Sequence, residues 1–180
     1  LGEWRTSLSV IELGLNFCGT KYQKELGIDD SPEKYYEDGI KYCGGLPELW
    51  KVYTDHNLEV FQFLEEECGL KFNRGIAVAG FGVPRLHLMA GPTILRALEK
   101  KVEELKIPIF YEHKVKELIR DVEGRVIGVV AEYAGELLRF KAKKGVILCT
   151  GGFGRNPEMI KEFGPDYLLE ATPTMPPTHT

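Results

Sequence analysis

The chain has 180 residues, room for one ordinary domain or for a domain and part of another. Apolar residues make up 43% and charged residues 28%, which excludes a disordered chain. A formal net charge of −4 speaks against a nucleic-acid surface, which needs clustered Lys and Arg. No apolar run reaches the roughly 18 residues that cross a bilayer, and no signal peptide is visible, so neither nucleic acid nor a membrane is an expected partner.

Residues 1 to about 75 read as helical. Ser31 before Pro32 and Glu33 is a helix start: a side-chain cap, a proline in the first turn and an acid beside the positive end of the dipole. That predicted helix stops at Gly44-Gly45, and a second begins near Pro47. A third covers Asn57 to Cys68, with Leu58, Phe61, Leu64 and Cys68 on one face and Gly69 as its cap.

Beyond residue 75 the pattern is mixed. Gly75 to Val83 is glycine-rich and apolar, irregular or strand-like. Gly91-Pro92-Thr93 opens a helix whose predicted buried stripe is Ile94, Leu95, Leu98, Val102 and Leu105. Pro108–Tyr111 reads as a short strand and Lys114–Arg120 as another. A turn at Glu123-Gly124 leads into a hairpin of Arg125–Tyr133 and Glu136–Ala142 across Ala134-Gly135. The basic run Arg139 to Lys144 alternates with apolar residues, as the solvent face of a strand does. Val146–Cys149 carries no polar residue and is predicted to be buried on both faces, as in a parallel sheet. Asn156 caps a last helix, and Thr172 to Thr178, rich in proline, can continue neither a helix nor a central strand.

Thr150-Gly151-Gly152 is the sharpest local signal. Two glycines after an apolar strand let backbone approach a ligand, with a hydroxyl at the carboxyl end of the strand, where open sheets bind their ligands. A tight turn with no ligand explains the same residues equally well. Arg85 and His87 lie beside a glycine-rich stretch; the plainer reading is a surface Arg and a His bonded to nearby backbone, and no catalytic role is assigned to them. Cys18, Cys43, Cys68 and Cys149 form no C-x-x-C, which fits reduced thiols and a cytoplasmic setting rather than zinc. His56, His87, His113 and His179 show no metal-ligand spacing, and no Ser sits in G-x-S-x-G.

Several ordered segments resemble the FAD-dependent fumarate reductase and 3-ketosteroid dehydrogenase superfamily. They are VILCTGGFGRNPEM, GTKYQKELGIDDSPEKYYED, PRLHLMAGPTILRALEKKVEELKIPI and HKVKELIRDVEGRVIGVV, and with the fitting gaps between them the resemblance covers about residues 9 to 180. The resemblance implies an α/β fold of α+β character: an incomplete FAD-binding Rossmann-like domain with N-terminal helices, a β meander and one buried parallel-type strand. Residues 1–155 would be the partial FAD-binding domain and 156–180 the start of a capping, substrate-binding domain.

The resemblance further implies that Gly19 and Thr20 lie in a loop beside the flavin. It sets Val115 on a strand that offers backbone groups to the adenine, and Thr150, Gly151 and Gly152 along the FAD. The family's G-x-G-x-x-G segment is absent from these residues, as are its later catalytic His and Arg groups, so the chain is expected to be the middle of a longer enzyme with no catalytic residue of its own. The expected function is part of an FAD-dependent oxidoreductase acting on a carbon–carbon double bond of a small enoate or steroid-like substrate. The alternative is a non-catalytic assembly module that pairs with a partner chain or with itself as a homo-oligomer.

Overall fold

The computed structural model describes residues 14–72, 76–77, 82–153 and 156–164. Most of the glycine-rich stretch 75–83 and the proline-rich tail lie outside those residues. The described residues fall into two compact units, 14–107 and 108–164.

The first unit is helical around a small sheet. Strand β1 is Leu15–Asn16, β2 is Ile76–Ala77 and β3 is Leu86–His87, and β3 lies between the other two, antiparallel to both. The helices are α1 (Lys21–Glu25), α2 (Pro32–Cys43), α3 (Pro47–Asp55), α4 (Asn57–Gln62) and α5 (Gly91–Glu104). The predicted start of α2 is present in detail: Ser31 Oγ accepts from the Lys34 N–H, and Gly44 ends the helix with φ +66°.

The third predicted helix is α4 followed by a wider π-type turn, Phe63–Glu67, in which the Cys68 N–H reaches the Phe63 carbonyl at 3.1 Å. Its apolar face is the one expected, since Phe61 and Leu64 join Phe17, Leu70, Phe72 and Ile94 in the core, with Leu58 and Cys68 packed at its margin. Phe17 stands edge-on to both Phe61 and Phe72, with ring centroids 5.3 and 5.5 Å apart. Helices α2 and α3 meet where α2 has no side chain: a Cβ on Gly39 would lie 2.5 Å from the Trp50 indole.

The stripe expected along α5 is buried only in part. Ile94 is in the core and Leu98 packs against it, whereas Leu105 is 59% exposed. One turn of the helix meets the core, and its far end passes beyond it.

The second unit holds a three-stranded antiparallel meander, β4 (Lys114–Arg120), β5 (Val126–Tyr133) and β6 (Glu136–Lys141). Ala134 and Gly135, at φ +50° and +84°, make the two-residue turn between β5 and β6. At the other turn, Asp121 Oδ1 accepts from the Glu123 and Arg125 N–H groups. Gly128 permits the β5–β6 approach, because a Cβ there would lie 2.2 Å from the Phe140 carbonyl oxygen. Helix α6 (Pro157–Phe163) starts on Asn156, whose Oδ1 accepts from the Met159 N–H at 3.1 Å.

Two expected strands are absent. Pro108–Tyr111 forms no strand and is exposed. Val146–Cys149, expected to be buried on both faces, is neither a strand nor buried: Ile147 is 89% exposed. Every strand pair among the described residues is antiparallel, so a parallel sheet has no neighbour to offer this segment. An apolar run buries itself only against something, and here nothing described lies alongside it. The mixture of helix and sheet is as expected; the parallel, Rossmann-like part is not seen.

Candidate functional site

In the first unit, residues 16–20 run from β1 into α1. Gly19 has φ +67°, open to glycine at no cost, and a Cβ added to it would meet no atom within 4 Å. Thr20 is wholly buried and caps α1: its Oγ1 accepts from the Gln23 N–H while Gln23 Oε1 accepts from the Thr20 N–H, both at 3.2 Å. The Thr20 carbonyl accepts from the Lys24 N–H, so all the polar groups of this residue are engaged within the fold. The segment is also held from other sides. Asn57 Oδ1 accepts from the Cys18 N–H at 2.8 Å, Asn57 Nδ2 donates to the Asn16 carbonyl, and the Phe17 N–H donates to the Arg85 carbonyl. Asn16 Oδ1 is a buried acceptor with no partner among the described residues.

Beneath the segment lies a buried polar network. The Arg85 guanidinium makes a two-pronged contact with Asp30, Nε to Oδ2 at 2.8 Å and Nη2 to Oδ1 at 2.7 Å, and a third with Asp38 Oδ2 at 2.7 Å. Its Cζ lies over the Tyr35 ring, 4.3 Å from the centroid. Gln23 Nε2 donates to Asp30 Oδ2 and to the Pro84 carbonyl. Burial alone would lower the Arg85 pKa, but the bonds to Asp30 and Asp38 outweigh it and raise it.

His87 is buried too. Its Nδ1 lies 2.7 Å from the Arg85 carbonyl, which can only accept, so Nδ1 carries a proton. In the neutral ring Nε2 is then an acceptor, and it receives the Thr20 hydroxyl at 2.8 Å. Burial lowers the His87 pKa, against the opposing pulls of the Arg85 carbonyl and the Glu65 charge, and so favours that neutral form. The Cys18 thiol is raised to about 11, first by burial and then by Asp30, and is inert.

In the second unit, Thr150, Gly151 and Gly152 are exposed, Gly151 has φ +74°, and a Cβ on Gly152 would meet open space. Among the described residues no backbone hydrogen bond takes up the N–H groups of these three. A turn with unused N–H groups and no side chain in the way is what an anionic oxygen needs. Val115, half exposed on the edge strand β4, pairs with Ala131 just before a register shift at Lys116.

The residues singled out by sequence thus fall into two kinds. Gly19, Val115, Thr150, Gly151 and Gly152 are open, whereas Thr20 is enclosed. Arg85 and His87 are not surface groups: both are fully buried, and only the backbone bond of His87 matches the plainer reading. Sequence reading missed Asn16, Asn57 and the partners of Arg85. Asp30 and Asp38 stand 55 and 47 residues from Arg85, and no local pattern ties acids at that separation to a particular Arg.

The model of the FAD binding domain family matches residues 13–180. The chain belongs to this family. Its cofactor is FAD.

This FAD binding domain is 30% identical over 168 residues to fumarate reductase 1 of Saccharomyces cerevisiae, covering 86% of this chain and 36% of that protein. It is 34% identical over 157 residues to urocanate reductase of Eggerthella lenta, covering 81% of this chain and 25% of that one. The open form of a flavocytochrome c3 fumarate reductase superposes with a TM-score of 0.81 at 27% identity, over 94% of this chain and 31% of the other. The 3-ketosteroid-Δ4-(5α)-dehydrogenase of Rhodococcus jostii RHA1, in complex with 4-androstene-3,17-dione, superposes with a TM-score of 0.77 at 26% identity, over 88% and 42%. The chain therefore spans well under half the length of these relatives. No helix among the described residues is long and apolar enough to cross a membrane, and no cluster there could hold a metal ion.

Proposed function

We propose that the protein to which this chain belongs is an FAD-dependent oxidoreductase that reduces or forms a carbon–carbon double bond in a small enoate or a steroid-like ketone. The observation that carries the reading is the exposed Thr150–Gly152 turn, whose N–H groups meet no backbone acceptor among the described residues, in a chain matched along 13–180 by the FAD binding domain. When bound, FAD supplies the hydride chemistry through its N5 position.

The chain's own residues hold and orient. Thr150, Gly151 and Gly152 present N–H groups to the dinucleotide, Gly19 offers a side-chain-free backbone beside the ring system, and Val115 offers edge-strand backbone to the adenine. Asn16 Oδ1, buried and without a partner among the described residues, is an acceptor that a ligand N–H would satisfy. No residue here is given a catalytic role. The groups that polarise the substrate and deliver its proton are proposed to lie elsewhere in a longer polypeptide, with a G-x-G-x-x-G strand–turn–helix that supplies the other side of the phosphate site.

The test is flavin absorbance and stoichiometry of the full-length protein, followed by turnover of fumarate, urocanate and a 3-ketosteroid. The expected result is one FAD per polypeptide and activity on one of these classes, with the 180-residue chain alone binding FAD weakly. A full-length protein that purifies without flavin and cannot be loaded with it would overturn the reading.

A second reading, a non-catalytic assembly module, draws on the exposure of Ile147 and Leu148. It requires the natural protein to be a self-associating species. A monomeric full-length protein by size-exclusion chromatography removes it.

A further inference from the structure

We propose that His87 is a positioning residue for the cofactor: its neutral ring latches Thr20, and the latch fixes the direction in which the Gly19 turn presents its backbone. This rests on the FAD reading above and goes beyond it, because sequence motifs give the Thr20 and His87 segments no connection.

The geometry leaves little else for the contact to do. Thr20 and His87 are 67 residues apart and meet at 2.8 Å with both side chains fully buried. The cap of α1 is already complete without His87, since the reciprocal Thr20–Gln23 bonds close it. The proton on Nδ1 is fixed by the Arg85 carbonyl, so the ring offers Thr20 an acceptor and nothing else. The Thr20 hydroxyl accepts from Gln23 and donates to His87, which sets its rotamer on both sides.

On the other flank Asn57 holds Cys18 and Asn16. Between these two anchors only Gly19 faces open space, at a φ of +67° that a free chain would occupy among many others. A glycine that must meet a ligand in one orientation loses affinity if it has to be ordered on binding, and a latch built into the fold removes that cost.

The ring is well protected in its role. Phe17, Tyr22, Phe61 and Phe72 surround it at centroid distances of 5.6 to 6.2 Å. The charged groups around it are Glu65, bonded to the Tyr22 hydroxyl and to Lys21, and the Arg85–Asp30–Asp38 cluster.

The test uses the full-length, flavin-loaded protein and two pairs of variants, with FAD affinity and the visible flavin spectrum as readouts. His87→Asn keeps a donor for the Arg85 carbonyl and removes the acceptor for Thr20, while His87→Gln can restore that acceptor. Thr20→Val removes the hydroxyl, and Thr20→Ser keeps it. His87→Asn and Thr20→Val are expected to weaken FAD binding about tenfold and to alter the flavin band, whereas His87→Gln and Thr20→Ser should stay within about threefold of the parent. Each pair decides alone if a member of the other fails to fold.

Unchanged affinity and spectrum in both His87→Asn and Thr20→Val overturns the latch. So does equal loss in His87→Gln and Thr20→Ser, which would mark a purely structural role. A parent that takes up no FAD sinks the cofactor reading itself, whereas a yellow parent with indifferent variants sinks only the latch.

Discussion

The two units differ in what they enclose: the first buries charged and polar side chains, and among the described residues of the second none is buried. In residues 14–107 even Arg85, Asp30 and His87 are withdrawn from water, each with its partners in place. In residues 108–164 Ile147, Leu148 and Leu137 stand in solvent although their chemistry asks for cover. The first unit satisfies its buried charges within itself. The second leaves Ile147, Leu148 and a glycine turn exposed, as the first leaves Leu49 and Val52, but among its described residues it has no buried charge to satisfy.

The largest test of this contrast is Arg85→Met. It strands the Asp30 carboxylate, whose side chain is 0% exposed, and should cost about 3–5 kcal/mol in urea unfolding followed by Trp fluorescence. A loss below about 1 kcal/mol would mean that water reaches the pair. Gly39→Ala comes next: the new methyl meets the Trp50 ring at 2.5 Å and should cost about 1–3 kcal/mol, with a change in Trp emission as α3 is displaced.

Acid acts on the first unit through His87. Its pKa is lowered in the folded chain by burial, so the unfolded chain binds the proton first. The stability from the neutral ring is fully present above about pH 6.5 and declines as pH falls below it; unfolding midpoints at about pH 7.5 and 5.5 should show the drop, and His87→Gln should shrink it. The smallest effect is expected for Ile147→Ala in the isolated chain, within about 0.5 kcal/mol. The same change in the full-length protein should cost several times more if Val146–Cys149 is covered there, and equal values would show that the segment stays at the surface.

Much of the fold was legible because its signals are local. Ser31-Pro32-Glu33, Asp121 to Gly124, Ala134-Gly135 and Asn156-Pro157 each fix a cap or turn with neighbours a few residues away. The α4 face was legible from period alone. Val146–Cys149 was not, since composition states what a segment would bury against but not whether that neighbour exists. Leu105 was missed likewise: it continues the apolar stripe of α5, while the core ends a turn or more earlier. At the candidate site, the 150–152 turn was legible from its glycines, and Gly19 only from the family resemblance. The burial of Thr20, Arg85 and His87 rests on contacts tens of residues apart, which no window along the chain can contain.

The triple clasp of Arg85 also bears on how the first unit assembles. Asp30 and Asp38 arrive on the approach to α2 and on its second half, while Arg85 arrives beside β3, so a half-built form would carry either a bare cation or two bare anions into an apolar interior. Partial structures of that kind are penalised from both directions. The helices and the small sheet should therefore melt together in a single sharp transition, with amides of α2 and β3 exchanging with solvent at one common rate.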